Sequence, residues 1–171
     1  MERVRQLLRD VPDFPKPGII FKDITPVLQD PAAFAEIIDY LAERYADAGL
    51  TQIVGIESRG FIFASALALK MRKGLVLIRK PGKLPAETFS ASYELEYGKD
   101  EVHIHKDSLS AEDRVVILDD LLATGGTLGA AAQVVGQTGA IIEELAVLIE
   151  LDFLKGREKI TNYSFHSLLN Y

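Results

Sequence analysis

No cysteine occurs among the 171 residues. Disulfides, thiol nucleophiles, zinc–thiolate sites and iron–sulfur clusters are therefore excluded, and nothing points to an oxidising compartment. The cytoplasm is the expected location. Long apolar runs are missing too: the longest, near residues 61–69, is interrupted by Ser65 and falls short of the roughly 18 residues of a membrane span. The amino-terminal MERVRQLLRDVPD mixes charges through its apolar positions and has no signal-peptide core, so no membrane partner is expected. The third absence is excess positive charge. Lys+Arg 19 against Asp+Glu 25 leaves a net charge of -6, so no global field attracts a polyanion and nucleic acid is not an expected partner. Internal repeats, low-complexity tracts and interdomain linkers are also lacking. What is present, 48% hydrophobic and 26% charged residues, fits a soluble globular chain, and the length predicts one domain over 1–171.

Val4, Leu7 and Leu8 recur at helical spacing until Pro12, predicting a short amphipathic helix followed by a loop at Phe14-Pro15-Lys16-Pro17-Gly18. Asp30 is a suitable N-cap, Pro31 fits the first helical position, and Gly49 is placed to end a helix whose inner face is Phe34, Ile37, Ile38, Leu41 and Tyr45. A strand at 52–56, a helix at 61–71 and a strand at 75–78 read as a βαβ unit. Strands at 89–97 and 101–106, separated by Gly98-Lys99-Asp100, predict an inserted β-hairpin. A strand at 115–118, a helix at 127–135 and a strand at 141–149 complete an α/β fold: an open, mostly parallel β-sheet with helices on both faces. In such sheets ligands bind beyond the carboxyl ends of the strands.

The richest stretch is Arg114-Val115-Val116-Ile117-Leu118-Asp119-Asp120-Leu121-Leu122-Ala123-Thr124-Gly125-Gly126-Thr127. A buried strand runs into two acids, and small residues with two glycines then precede a helix. Consecutive backbone N–H groups there can converge on a phosphate at the positive helix end. The acids cannot cradle phosphate themselves, but they can accept hydrogen bonds from sugar hydroxyls or face a positively charged sugar carbon. Gly55-Ile56-Glu57-Ser58-Arg59-Gly60 has P-loop glycine spacing, yet Phe61 and Ile62 occupy the Lys and Ser/Thr positions, so a nucleotide P-loop is rejected. Arg59 in that turn can offer its guanidinium fork to phosphate, and Arg79-Lys80-Pro81-Gly82-Lys83 forms a second basic cluster. His103 and His105 read as a solvent-facing pair on one strand face, His166 has no role, and Asn162-Tyr163-Ser164 is not expected to be glycosylated. Glu87 and Glu94 read as surface charges, although Glu94 and Glu96 share a strand face, so geometry leaves both open as acid–base candidates.

The acidic strand end with T-G-G-T resembles the signature of the type I phosphoribosyltransferases. Phe14-Pro15-Lys16-Pro17-Gly18-Ile19-Ile20-Phe21-Lys22-Asp23-Ile24-Thr25-Pro26, Ser58-Arg59-Gly60-Phe61, Arg79-Lys80-Pro81-Gly82-Lys83-Leu84-Pro85 and Ser92-Tyr93-Glu94-Leu95-Glu96-Tyr97-Gly98 resemble the adenine branch of that family, in the same order from about residue 5 to 169. The resemblance implies the type I phosphoribosyltransferase fold, with an N-terminal hood over about 1–30 and the hairpin of about 84–106 as a lid. It implies transfer of a phosphoribosyl group from phosphoribosyl pyrophosphate to adenine, giving AMP and pyrophosphate, with Mg²⁺ bound mainly through phosphoribosyl pyrophosphate and water rather than by a dedicated protein site, and a homodimer. Ala123, Thr124, Gly125, Gly126 and Thr127 would hold the 5-phosphate, Asp119 and Asp120 the ribose hydroxyls, and Arg59 and Lys83 the pyrophosphate, with Arg79 and Tyr97 also binding substrate. Phe21 would lie against the base, whose edge the backbone at Ile20 and Lys22 would read, and Glu96 would be the acid–base residue. Position 22 is commonly Arg in the family, so Lys22 leaves only the backbone role.

Overall fold

The computed structural model describes residues 1–95 and 98–171. They fall into two compact units, Met1–Arg44 and Tyr45–Tyr171.

The first unit holds α1 (Glu2–Leu7), β1 (Arg9–Pro12), β2 (Ile20–Asp23), α2 (Thr25–Gln29) and α3 (Pro31–Arg44). The amino-terminal helix is where the periodicity places it, but β1 and its antiparallel partner β2, in register from Arg9↔Asp23 to Pro12↔Ile20, were not expected. Ion pairing and turn chemistry supply what hydrophobic alternation does not. Asp23 receives Arg9 Nη2 at 2.5 Å and the Thr25 N–H at 2.8 Å, and Asp13 closes the intervening loop by accepting the Gly18 N–H at 2.7 Å. Asp30 caps α3 through the Ala33 N–H at 2.8 Å, as predicted. The helix nevertheless closes at Arg44, short of Gly49. Tyr45 is buried, and its hydroxyl donates to Glu144 Oε2 at 2.7 Å; the chain goes on as a turn in which the Ala48 N–H donates to the Tyr45 carbonyl at 3.2 Å.

In the second unit β3 (Gln52–Ile56), α4 (Gly60–Met71) and β4 (Gly74–Ile78) form the expected βαβ unit, followed by the hairpin β5 (Thr88–Leu95) and β6 (Gly98–His105). Then come β7 (Arg114–Leu122), α5 (Gly126–Gln137), β8 (Ile141–Glu150), two 3-10 turns at Asp152–Leu154 and Gly156–Lys159, and β9 (Phe165–Asn170). The five-stranded sheet has the order β4-β3-β7-β8-β9, and all its pairings are parallel. Its inner strands are covered on both faces, which explains unbroken apolar runs such as Val115, Val116, Ile117 and Leu118. Val54, Ile117, Leu145 and Val147 pack with α5 and the hairpin. On the other face Gly55 lies against α4, where a Cβ would come 2.7 Å from that of Ala64. Fully buried side chains such as Ile53, Ile117 and Leu145 each contribute roughly 1.5–3 kcal/mol.

Three expectations change. Gly98, Lys99 and Asp100 are paired residues of β6, opposite Leu95, Glu94 and Tyr93, not a turn. The β7 strand continues past its acids, because Leu121 and Leu122 still pair with Ile149 and Glu150. His103 does not face solvent: its side chain is only 20% exposed, and its Nδ1 lies 2.9 Å from Thr88 Oγ1.

Candidate active site

At the carboxyl end of β7, residues 123–127 turn into α5. Gly125 adopts φ +80 as N-cap, and no side chain caps the helix nor does an acid occupy its first turn. The helix amides and the positive end of the dipole are thus left for an external anion. Gly125 is required twice over, by its left-handed backbone and because a Cβ would come 2.3 Å from the Gly156 carbonyl oxygen. Gly126 is pressed from another side, since a Cβ would approach Tyr93 Cδ2 to 2.9 Å. The phosphate-type loop is therefore held between the 3-10 segment and β5.

That loop forms one wall of a cavity of about 400 Å³, whose lining is Glu57, Ser58, Arg59, Lys80 and every residue from Asp119 to Leu128. The predicted residues Arg59, Asp119, Asp120, Ala123, Thr124, Gly125, Gly126 and Thr127 are thereby brought together. Asp120 is buried, 4% exposed, and Arg59 Nε meets its Oδ2 at 2.7 Å. Asp119 Oδ1 accepts the Asp120 N–H at 2.9 Å. Burial pushes both carboxyls above their ordinary value, Asp119 well above it because the neighbouring Asp120 charge adds to desolvation; at Asp120 the Arg59 guanidinium offsets part of the rise.

The basic cluster divides. Arg79 is turned onto Glu57, with Nη2–Oε1 at 3.1 Å and Nε–Oε2 at 3.3 Å, and its Nη1 donates to the Lys83 carbonyl at 3.2 Å. Glu57 Oε2 also accepts the Lys80 N–H at 2.9 Å. That amide bond and the Arg79 charge outweigh desolvation and hold the Glu57 carboxyl below its usual range. Arg79 and the exposed Lys83 are not among the cavity-lining residues; Lys80 is. Sequence reasoning placed Lys80 in the cluster without singling it out, and it missed Glu57, whose only signal was its place in the glycine-flanked turn beside Arg59.

Ile20, Phe21 and Lys22 lie on β2 of the first unit. Ile20 is 57% exposed, the Phe21 ring meets Phe14 edge-on at 5.2 Å, and Lys22 Nζ pairs with Asp10 at 2.7 Å. Glu96 and Tyr97 lie outside the described residues. Glu94 borders a second cavity, about 380 Å³, that shares Gly125 and Gly126 with the first. Among the described residues no group of three or more His, Cys, Asp or Glu side chains could hold a metal ion, and no helix is long and apolar enough to cross a membrane.

Residues 23–167 match the phosphoribosyl transferase domain family. An adenine phosphoribosyltransferase of Roseiflexus castenholzii is 59% identical over 165 residues, covering 96% of this chain and 96% of its own. The crystal structure of adenine phosphoribosyltransferase from Thermoanaerobacter pseudethanolicus superposes with a TM-score of 0.96 at 49% identity, covering 99% of both chains. The Saccharomyces cerevisiae enzyme, crystallised with adenine and an imino-altritol bisphosphate, superposes with a TM-score of 0.94 at 42% identity, covering 98% of this chain and 97% of that one.

Proposed function

The chain belongs to the phosphoribosyl transferase family, within the group of adenine phosphoribosyltransferases, and from that premise we propose that it converts adenine and phosphoribosyl pyrophosphate into AMP and pyrophosphate in purine salvage. The observation that carries this reading is the juxtaposition, in one cavity, of an uncapped helix N-terminus at Gly125 and Gly126 with the Asp119–Asp120 carboxylate pair and the cations Arg59 and Lys80. A 5-phosphate on the loop amides leaves the ribose hydroxyls toward the acids and the pyrophosphate toward the cations.

In the reaction the bond from the anomeric carbon to pyrophosphate oxygen breaks, its electron pair leaves with pyrophosphate, and adenine N9 supplies the pair for the new bond. The sugar gains positive charge while the departing group gains negative charge, so carboxylates on one side and cations on the other lower the barrier electrostatically. Asp119 and Asp120 face the sugar cation; Arg59 and Lys80 take the pyrophosphate. Glu96 accepts the proton released by the base. Ile20, Phe21 and Lys22 read adenine, the first and last through their backbones, and Tyr97, Arg79 and Lys83 assist substrate binding. Mg²⁺ prefers six oxygen ligands and keeps several waters. Asp119 and Asp120, carboxylates lining the cavity, would face the water shell of an ion delivered with the substrate, which when bound would neutralise charge on the leaving pyrophosphate. A homodimer is supported by apolar surface on α4 and the edge strand β4, where Leu69 is 82% and Leu75 38% exposed; sedimentation tests it. The cysteine-free composition supports a cytoplasmic location.

Incubation with radiolabelled adenine, phosphoribosyl pyrophosphate and Mg²⁺ is expected to yield labelled AMP, with hypoxanthine and guanine competing poorly; no AMP alongside an active control enzyme refutes the assignment. Removing the Glu96 carboxylate (Glu96→Gln) is expected to lower kcat at least tenfold more than Glu94→Gln. Equal or reversed losses transfer the proton-accepting role away from Glu96.

A further inference from the structure

We infer that Asp100 is a positioning residue that holds the Lys80 ammonium on the hairpin, so that pyrophosphate must compete with it for this cation. The inference rests on the reading of the cavity as a pyrophosphate site. Lys80 leaves the end of β4 with its backbone fixed by Glu57 and lines the cavity. Its ammonium, however, donates to the Tyr93 hydroxyl at 2.7 Å and is ion-paired with Asp100 Oδ2. The same Oδ2 accepts the Tyr93 hydroxyl at 2.9 Å, while Oδ1 accepts the Glu101 N–H at 2.8 Å. Tyr93 and Asp100 are direct partners across the hairpin, and the Tyr93 ring rests against Gly126 of the phosphate-type loop.

One ammonium thus has two claimants. Pyrophosphate carries more charge than a carboxylate and outcompetes it, but it has to break an existing pair first. The two side chains are about one-third exposed, 34% and 31%. At that exposure the pair weakens binding by a factor of roughly two to five, the range of measured surface ion pairs. Asp100→Asn keeps the shape and, with its one amide oxygen on the Glu101 N–H, turns its NH2 toward the Tyr93 hydroxyl, which can accept from it; the charge competing for Lys80 is removed.

Calorimetric titration with pyrophosphate at fixed Mg²⁺ tests this in four proteins: wild type, Asp100→Asn, Lys80→Ala and the double variant. Asp100→Asn is expected to bind about two- to fivefold more tightly than wild type, and the gain is expected to vanish in the Lys80→Ala background. Unchanged or weaker binding by Asp100→Asn overturns the inference. So does an equal gain without Lys80, which would reduce the effect to a general change in local charge. Pyrophosphate binding absent from all four proteins overturns the reading of the cavity along with it, a result distinguishable from the other two. Because the expected change is a gain in affinity, a partly unfolded variant cannot mimic it.

Discussion

Asp119 is where chemistry and stability oppose each other. Its carboxyl is held well above its ordinary value of 3.8 by burial and by the neighbouring Asp120, so at neutral pH the folded state is less stable than it would be with an uncharged residue there. A group whose folded value is raised contributes stability below its unfolded value and loses it as pH rises through the folded one. Asp119→Asn keeps the acceptor for the Asp120 amide and is expected to raise Tm at pH 7.5 by roughly 2–4 °C, the shift that about 1 kcal/mol produces at this size. The gain is expected to fade as pH drops through 3.8, the ordinary value, below which Asp119 becomes neutral in both states. Activity is expected to fall at least a hundredfold, a loss of about 2.7 kcal/mol of transition-state stabilisation. Melting curves across pH with parallel assays check both halves, and a Tm gain that persists at pH 3 rules out ionisation as its source. The acids and the loop after them were legible because they are contiguous in the chain. The choice among Arg79, Lys80 and Lys83 was not: it depends on Glu57, far off in sequence, taking Arg79 for itself.

At the scale of elements, the phosphate-type loop takes its shape from a segment that periodicity does not reveal. Gly156 begins the second 3-10 turn, and a Cβ there would come 2.3 Å from the Ala123 carbonyl oxygen, just as one on Gly125 would meet Gly156. Leu151 N–H donates to the Leu122 carbonyl at 3.0 Å, joining the two segments by backbone as well. Both partners in the close approach are backbone, so neither can rotate out of the way. Gly156→Ala is therefore expected to displace the loop amides and raise KM for phosphoribosyl pyrophosphate tenfold or more, with a much smaller change in KM for adenine. Steady-state kinetics with each substrate varied in turn decides, and equal changes for both substrates refute a local effect on the loop. The strands β1 and β9 escaped sequence reading for related reasons: β1 is four residues long with charges and Pro12, and β9 is an edge strand whose Phe165, His166, Ser167, Leu168, Leu169 and Asn170 show no clean alternation. The central elements were legible because a parallel sheet covered on both faces leaves unbroken aliphatic runs.

For the molecule as a whole, acid sensitivity follows from which carboxylates are paired. The alternation of strands and helices made the α/β architecture legible, but the boundary between Arg44 and Tyr45 has no Gly-, Pro- or Ser-rich linker to announce it. Each unit has its own paired carboxylates: Asp23 and Asp30 in the first, Glu57, Asp100, Asp113 and Glu150 in the second, all held below their ordinary values. Glu150 is the most connected. Burial alone would push it up, but Arg157, bound at 2.6 Å to each oxygen, with Ser167 at 2.9 Å and Asn170 at 3.0 Å, more than reverses that. A depressed carboxyl supplies stability that is complete above its unfolded value, ordinarily 4.5 for this group, and lost as pH falls through the folded one. As these six carboxyls take up protons, stability is therefore expected to decline below about pH 4.5; Asp119 and Asp120, raised rather than lowered, act in the opposite direction. Glu150→Gln tests the largest part of this. Arg157 is half exposed, so the loss is expected near 1–3 kcal/mol at pH 7, below the 3–5 of a fully buried pair, or roughly 2–12 °C in Tm. Thermal melts from pH 7 to pH 3 are expected to show the two proteins converging as the wild-type carboxyl takes up its proton. A constant gap over that range means that Glu150 acts through shape and neutral hydrogen bonds rather than through its charge.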